Sequence, residues 1–254
     1  MKVPYFDAHC DTLSRMAYLP GTHLERRTGQ WDLEKLSRFD GPKAQIFAVF
    51  CDSALPGASR AAERQIAVFR RECERNQDRV VPCVDASQAE QAFADGKLAA
   101  FLSVEGAELL DCAVEKLDWA YARGVRFINL TWNHANALSG SHCDEPERGL
   151  SGQGRNFVRR MERLGMLPDV SHLSDAGFWD LAECTNSPII ASHSNSRSVF
   201  FHTRNLTDEQ FTAIIKKNGI VGLNCYAAFL GEGSVTMDDL RRHLDHFLAL
   251  GGEK

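Results

Sequence analysis

The 254 residues (28.3 kDa) match the ~250 of a single (β/α)8 barrel and allow a large buried core. A hydrophobic share of 44% with 25% charged residues is that of an ordinary globular chain. The net charge of −5 argues against nucleic acid or an anionic membrane as partner, and no apolar run reaches the ~20 residues of a spanning helix. A first strand starting almost at Met1 leaves no room for a secretory leader. Eight cysteines are spread singly without a Cys-x-x-Cys pair, which fits reduced thiols and a cytoplasmic location.

In chain order, Tyr5 to Asp11 reads as the first strand, followed by a polar stretch and a short amphipathic helix over Trp31 to Phe39. Ala44 to Phe50 is a second strand, and Ser59 to Asn76 a charged amphipathic helix. Val80 to Val84 reads as a short strand, followed by a helix from Ser87, its N-cap, to Ala94. Leu98 to Val104 is an unbroken apolar run of the kind parallel sheets bury on both faces. Ala113 to Arg123 is helical with Gly124 as its C-cap, and Val125 to Thr131 is the next strand. The polar, glycine-rich loop from Trp132 to Gly154 is long enough to be a substrate lid. A helix over Asn156 to Gly165, a strand over Leu167 to Ser171 and a helix over Ser174 to Cys184 follow. Pro188 to Ser192 is a sixth strand, Thr207 opens a helix stopped by Gly219, Ile220 to Tyr226 is a seventh strand, and Thr236 to Leu250 is helical.

This alternation predicts one domain over 1–254, with parallel strands and right-handed crossovers. A doubly wound dinucleotide binder needs a glycine-rich turn after its first strand, where His-Cys-Asp-Thr stands instead. The expected fold is therefore a TIM (β/α)8 barrel. Seven main strands are found, and the eighth should begin where Gly251-Gly252-Glu253-Lys254 stand. Either that strand is absent from this chain or Val80 to Val84 takes its place; the reading favours an absent strand, hence truncation at the C-terminus.

His9-x-Asp11 at the end of the first strand puts an imidazole and a carboxylate on one face. Alone, such a pair is more often bonded to backbone. Three later strand ends carry Glu105, His172 and His193, and five metal-capable side chains at one barrel rim describe a two-metal site. Cys10, between two ligands, faces the core.

These residues, in this order, resemble the membrane (renal-type) dipeptidases, peptidase family M19 of the amidohydrolase superfamily. Supporting segments are Gly124-Val125-Arg126 with Leu130-Thr131-Trp132-Asn133, Asp169 to Ser174, Ser192 to Arg197, and Arg204-Asn205-Leu206 followed by Asp208. The resemblance implies two Zn2+ per subunit, one on His9, Asp11 and bridging Glu105, the other on Glu105, His172 and His193. It implies hydrolysis of dipeptides, some with a D-residue at the C-terminal side, by metal-bound hydroxide. Arg204 would hold the substrate carboxylate, a match of guanidinium fork to carboxylate. His134 would stabilise the oxyanion, with His142, His202 and Asn133 as rivals. The family's strand-eight aspartate is not in these residues; Asp245, in a helical stretch, does not replace it, and low activity is expected of this chain alone. A homodimer is compatible with the family. The rival readings are another amidohydrolase reaction (lactone, cyclic amide or phosphotriester hydrolysis) and an inactive metal-binding barrel. Many amidohydrolases use a strand-end lysine as bridge; here Glu105 stands there, which favours the dipeptidase.

Overall fold

The computed structural model describes residues 3–25, 29–52 and 57–253. They form two compact units divided between Ile128 and Asn129, within what the sequence reads as one domain.

The first unit contains β1 (Tyr5–Cys10), α1 (Thr12–Tyr18), α2 (Leu33–Leu36), β2 (Lys43–Phe50), α3 (Ala58–Arg75), β3 (Val80–Pro82), α4 (Ala86–Ala94), β4 (Leu98–Glu105), α5 (Lys116–Tyr121) and most of β5 (Val125–Asn129). Its centre is the parallel pair β2 and β4, in unbroken register from Lys43↔Leu98 to Phe50↔Glu105. Both strands are buried along nearly their whole length, as uninterrupted apolar runs require. Phe47, fully buried, meets Trp31 edge-on at 5.0 Å and Phe69 at 5.8 Å. β1 runs parallel to β2, but its register slips between Asp7 and Cys10. That bulge falls on the segment carrying His9. β3 pairs with only the first three residues of β4, so it is an accessory strand and does not stand in for a full barrel strand.

Local signals account for the departures from expectation. α1 replaces the polar stretch, its buried Leu13, Met16 and Ala17 marking one helical face. α2 is one turn long, capped by Asp32, whose carboxylate accepts from the Lys35 N–H at 2.7 Å. α4 is capped by Asp85 rather than Ser87: the Asp85 carboxylate accepts both the Gln88 N–H and the Ser87 hydroxyl.

The second unit contains α6 (Gly152–Leu164), β6 (Leu167–Asp169), α7 (Asp175–Cys184), β7 (Ile190–Ala191), α8 (Asp208–Lys216), β8 (Ile220–Val221) and α9 (Met237–Ala249). β6, β7 and β8 are parallel, with Asp169 beside Ile190 and Ile190 beside Ile220. Ser151, Ser174 and Thr207 cap α6, α7 and α8 through their hydroxyl oxygens. Phe157, Phe178, Phe211 and Ile214 fill the core, and Phe211 stacks on Phe247 of α9 at 4.2 Å. The three strands are two or three residues long, shorter than predicted, because their carboxyl ends turn away to hydrogen-bond with side chains. Among the described residues no strand follows α9; Gly251–Glu253 form a turn. No helix of the described residues is long and apolar enough to cross a membrane.

Candidate metal centre

In the first unit the β1 bulge aims His9. The Asp7 carboxylate accepts the His9 backbone N–H at 3.1 Å, and its other oxygen accepts from the Tyr5 hydroxyl at 3.1 Å. Trp31 in turn donates its indole N–H to Tyr5. Bulges of this kind re-aim a side chain at the cost of one ladder position. His9 Nε2 then lies 3.4 Å from Glu105 Oε2 and 3.5 Å from Asp11 Oδ1. Asp11 has left the strand to start α1 and is 58% exposed, whereas Glu105 is 4% exposed at the end of β4. The chain leaves Glu105 through Gly106 at φ 93°, a turn that a side chain would strain. Burial, with nearby Asp7 and Asp11, pushes the Cys10 thiol up to about 12, so it stays protonated between the two ligand candidates.

In the second unit two turns present His172 and His193 to each other, Nε2 to Nε2 at 2.9 Å. One buried carboxylate organises both turns: Asp169 Oδ1 accepts the Ser171 N–H at 3.0 Å and the Ser192 N–H at 3.1 Å. Ser171 Oγ accepts the His193 N–H at 3.1 Å. His172 sits at φ 75°, a left-handed conformation that costs a non-glycine residue ~1–2 kcal/mol. Each imidazole has its Nδ1 against an oxygen, Asn133 Oδ1 at 2.9 Å for His172 and Ser192 Oγ at 2.7 Å for His193. With a proton on each Nδ1, two nitrogen lone pairs face each other, an arrangement that a cation relieves. Imidazole nitrogens in this unit, and imidazole with carboxylates in the first, are donors that zinc takes. The residues present fit a metal.

Arg204 is buried; its guanidinium donates to the His193 carbonyl at 3.2 Å and lies 5.5 Å above the Phe229 ring. The loop carrying it is clamped by Arg197, which forks onto the Asp175 carboxylate (2.6 and 2.9 Å) and donates to the Asn205 and Thr203 carbonyls. His134 is exposed and edge-on to Trp132 at 5.8 Å. His142 lies 5.8 Å from the His172 ring, with Nε2 on Asn133 Oδ1 and Nδ1 on the Thr203 hydroxyl. Burial, then Arg204 and His202, holds His142 down at about 3, so it stays neutral. Desolvation and Arg204 lower His202 too. The segment expected to be a lid is pinned beside His172: Ser141 bridges Leu173, and His142 donates its backbone N–H to the His172 carbonyl at 2.9 Å. At Gly140 a Cβ would fall 2.1 Å from the Glu145 carbonyl oxygen, so the loop closes on a residue without one.

Sequence reasoning missed the supporting roles of Asp7, Asp169 and Ser192, and it weighed Asn133 for a different one. The signal in two cases is an aspartate that accepts the N–H two residues on: Asp7 for the candidate ligand His9, and Asp169 for Ser171, the residue before His172.

The model of the membrane dipeptidase family, peptidase family M19, matches residues 1–254. A metallopeptidase from Rhodobacter sphaeroides, solved with a phosphinate mimic of the dipeptide L-Ala-D-Ala, superposes with a TM-score of 0.89 at 27% identity. It covers 100% of this chain and 84% of its own. A second solved M19 protein, a dipeptidase, gives 0.89 at 29% identity, covering 100% and 82%. An uncharacterized protein from the pqqA 5′ region of Klebsiella pneumoniae is 33% identical across 75% of this chain and 74% of its own. An uncharacterized dipeptidase of Schizosaccharomyces pombe is 36% identical across 74% of this chain and 47% of its own. The fold class is thus the parallel α/β barrel of these M19 proteins, as the strand–helix alternation predicts. With a match along its entire length and metal-capable clusters in both units, the chain belongs to the membrane dipeptidase family M19, a family of metallopeptidases.

Proposed function

We propose that the two clusters serve one dinuclear zinc centre that hydrolyses dipeptides. His9, Asp11 and Glu105 would hold one ion, and Glu105, His172 and His193 the other. When bound, such a pair would supply hydroxide near neutral pH and polarise the scissile carbonyl. Glu105, a nearly buried carboxylate within 3.4 Å of His9, is suited to bridge because its two oxygens can serve two cations.

The chain's own residues do the rest. Arg204, buried and held through its loop by Arg197, would take the C-terminal carboxylate of the substrate in a forked pair. His134, exposed beside Trp132, would donate to the developing oxyanion. His142 has both ring nitrogens engaged, which suits it to a supporting place. The phosphinate L-Ala-D-Ala mimic bound by the Rhodobacter relative supports tolerance of a D-residue at the C-terminal position. Eight free cysteines support a reducing, cytoplasmic setting.

The observation that carries this reading is the His172–His193 pair, two Nε2 atoms converging with both Nδ1 atoms already against oxygen. The test is zinc-loaded protein on a panel of L,L- and L,D-dipeptides. Release of free amino acids supports the reading. Turnover of lactones, cyclic amides or phosphotriesters alone would assign another amidohydrolase reaction, and metal binding without any turnover an inactive barrel.

A further inference from the structure

We infer that Asn133 is a positioning residue, whose side-chain oxygen fixes the tautomer of His172 and so turns the Nε2 lone pair of that ring outward to a cation. Asn133 Oδ1 lies 2.9 Å from His172 Nδ1 and 3.1 Å from His142 Nε2. A carbonyl oxygen only accepts, so both nitrogens facing it carry protons. His142 then has a lone pair at Nδ1, and the Thr203 hydroxyl stands 2.9 Å away to donate to it. The chain of donors closes without a clash: Thr203 O–H to His142, His142 N–H to Asn133, and His172 N–H to the same oxygen.

The reverse orientation of the amide would place two N–H groups against these nitrogens. That would drive the His172 proton to Nε2, the atom 2.9 Å from His193 Nε2, and close the position to a metal. The backbone holds Asn133 in place on the other side. Its carbonyl accepts from the Ser141 hydroxyl at 2.6 Å and from the Cys143 thiol at 3.0 Å. Ligand histidines elsewhere have their second nitrogen fixed by a carboxylate or backbone carbonyl; here a side-chain amide does it and couples the ligand to a second histidine.

The inference rests on the proposed metal role of His172, yet the decisive measurement needs no metal. Long-range 1H–15N correlation spectra of the metal-free, histidine-labelled protein should show His172 as the Nδ1–H tautomer. Asn133→Ala should mix or invert that tautomer and weaken zinc binding, by chelator competition, roughly 10- to 100-fold. Asn133→Asp, which keeps an acceptor at the same place, should retain the tautomer and most of the affinity. A wild-type His172 protonated at Nε2 overturns the inference, as does an Asn133→Ala protein with unchanged tautomer and affinity. The wild-type spectrum decides even if a variant fails to fold. Wild-type protein that shows the expected tautomer and binds zinc but cleaves no dipeptide would sink the dipeptidase reading and leave this one standing.

Discussion

Arg197 offers the sharpest test of how the loop carrying Arg204 is held. Its Nε donates to the carbonyl of buried Asn205 at 2.8 Å, and its terminal nitrogens reach Asp175 and the Thr203 carbonyl. Arg197→Met removes all of these at once. Leaving the Asn205 carbonyl without its donor costs ~1–2 kcal/mol. The Asp175 pair counts for less, because that carboxylate is 51% exposed and screened, so ~0.5–1 kcal/mol is a fair figure. The loss of ~1.5–3 kcal/mol corresponds to a melting point lower by about 3–12 °C for a chain of this size. Arg204 sits between the two carbonyls that Arg197 grips. The same variant should therefore raise KM for dipeptides roughly tenfold, about 1.4 kcal/mol of binding, and leave kcat within about threefold. Arg197→Lys should rescue little, because an ammonium cannot fork. Thermal melts and steady-state kinetics read both effects. A melting point within about 2 °C of wild type, the shift expected of under ~1 kcal/mol, would refute the clamp.

Gly219→Ala should cost at least ~2 kcal/mol, since its Cβ would fall 1.9 Å from the Ile189 carbonyl oxygen and 2.7 Å from Ile214 Cγ2; an unchanged urea midpoint contradicts this. His243 is fully buried, accepts the Ser196 N–H at Nδ1 and donates from Nε2 to the Leu230 carbonyl. Burial lowers its pKa, so the fold keeps it neutral while the unfolded chain takes a proton near ~6.5. Its stability contribution is present above that pH and is lost as pH falls below it. His243→Gln should flatten this acid limb in chemical denaturation, and an identical slope in both proteins would count against the assignment. Glu105→Ala should strip both metals together, measured by elemental analysis, and retention of two equivalents would exclude Glu105 as the bridge.

How far the sequence could be read depended on what each feature rests on. β2 and β4 were legible because a strand buried on both faces must be apolar throughout, and the starts of α7 and α8 at Ser174 and Thr207 because capping chemistry is local; α6 was expected only from Asn156, whereas Ser151 caps it and it begins at Gly152. The β1 bulge was not, since register depends on a partner strand ~40 positions away; strict alternation put His9 and Asp11 on one strand face, whereas Asp11 begins α1. The strands β6, β7 and β8 were expected at their places but too long, for a related reason: Ser171 and Ser192 look like strand residues but give their N–H groups to Asp169. The candidate site residues stood out as residue types near strand ends, while the contacts of Asn133 did not, because they depend on two histidines at positions 142 and 172.

The most direct test of the central claim is an anomalous difference map at the zinc edge from crystals grown with the metal. The account predicts two peaks sharing Glu105, one with His9 and Asp11 and the other with His172 and His193. Peaks elsewhere, or none among these five side chains, would contradict it.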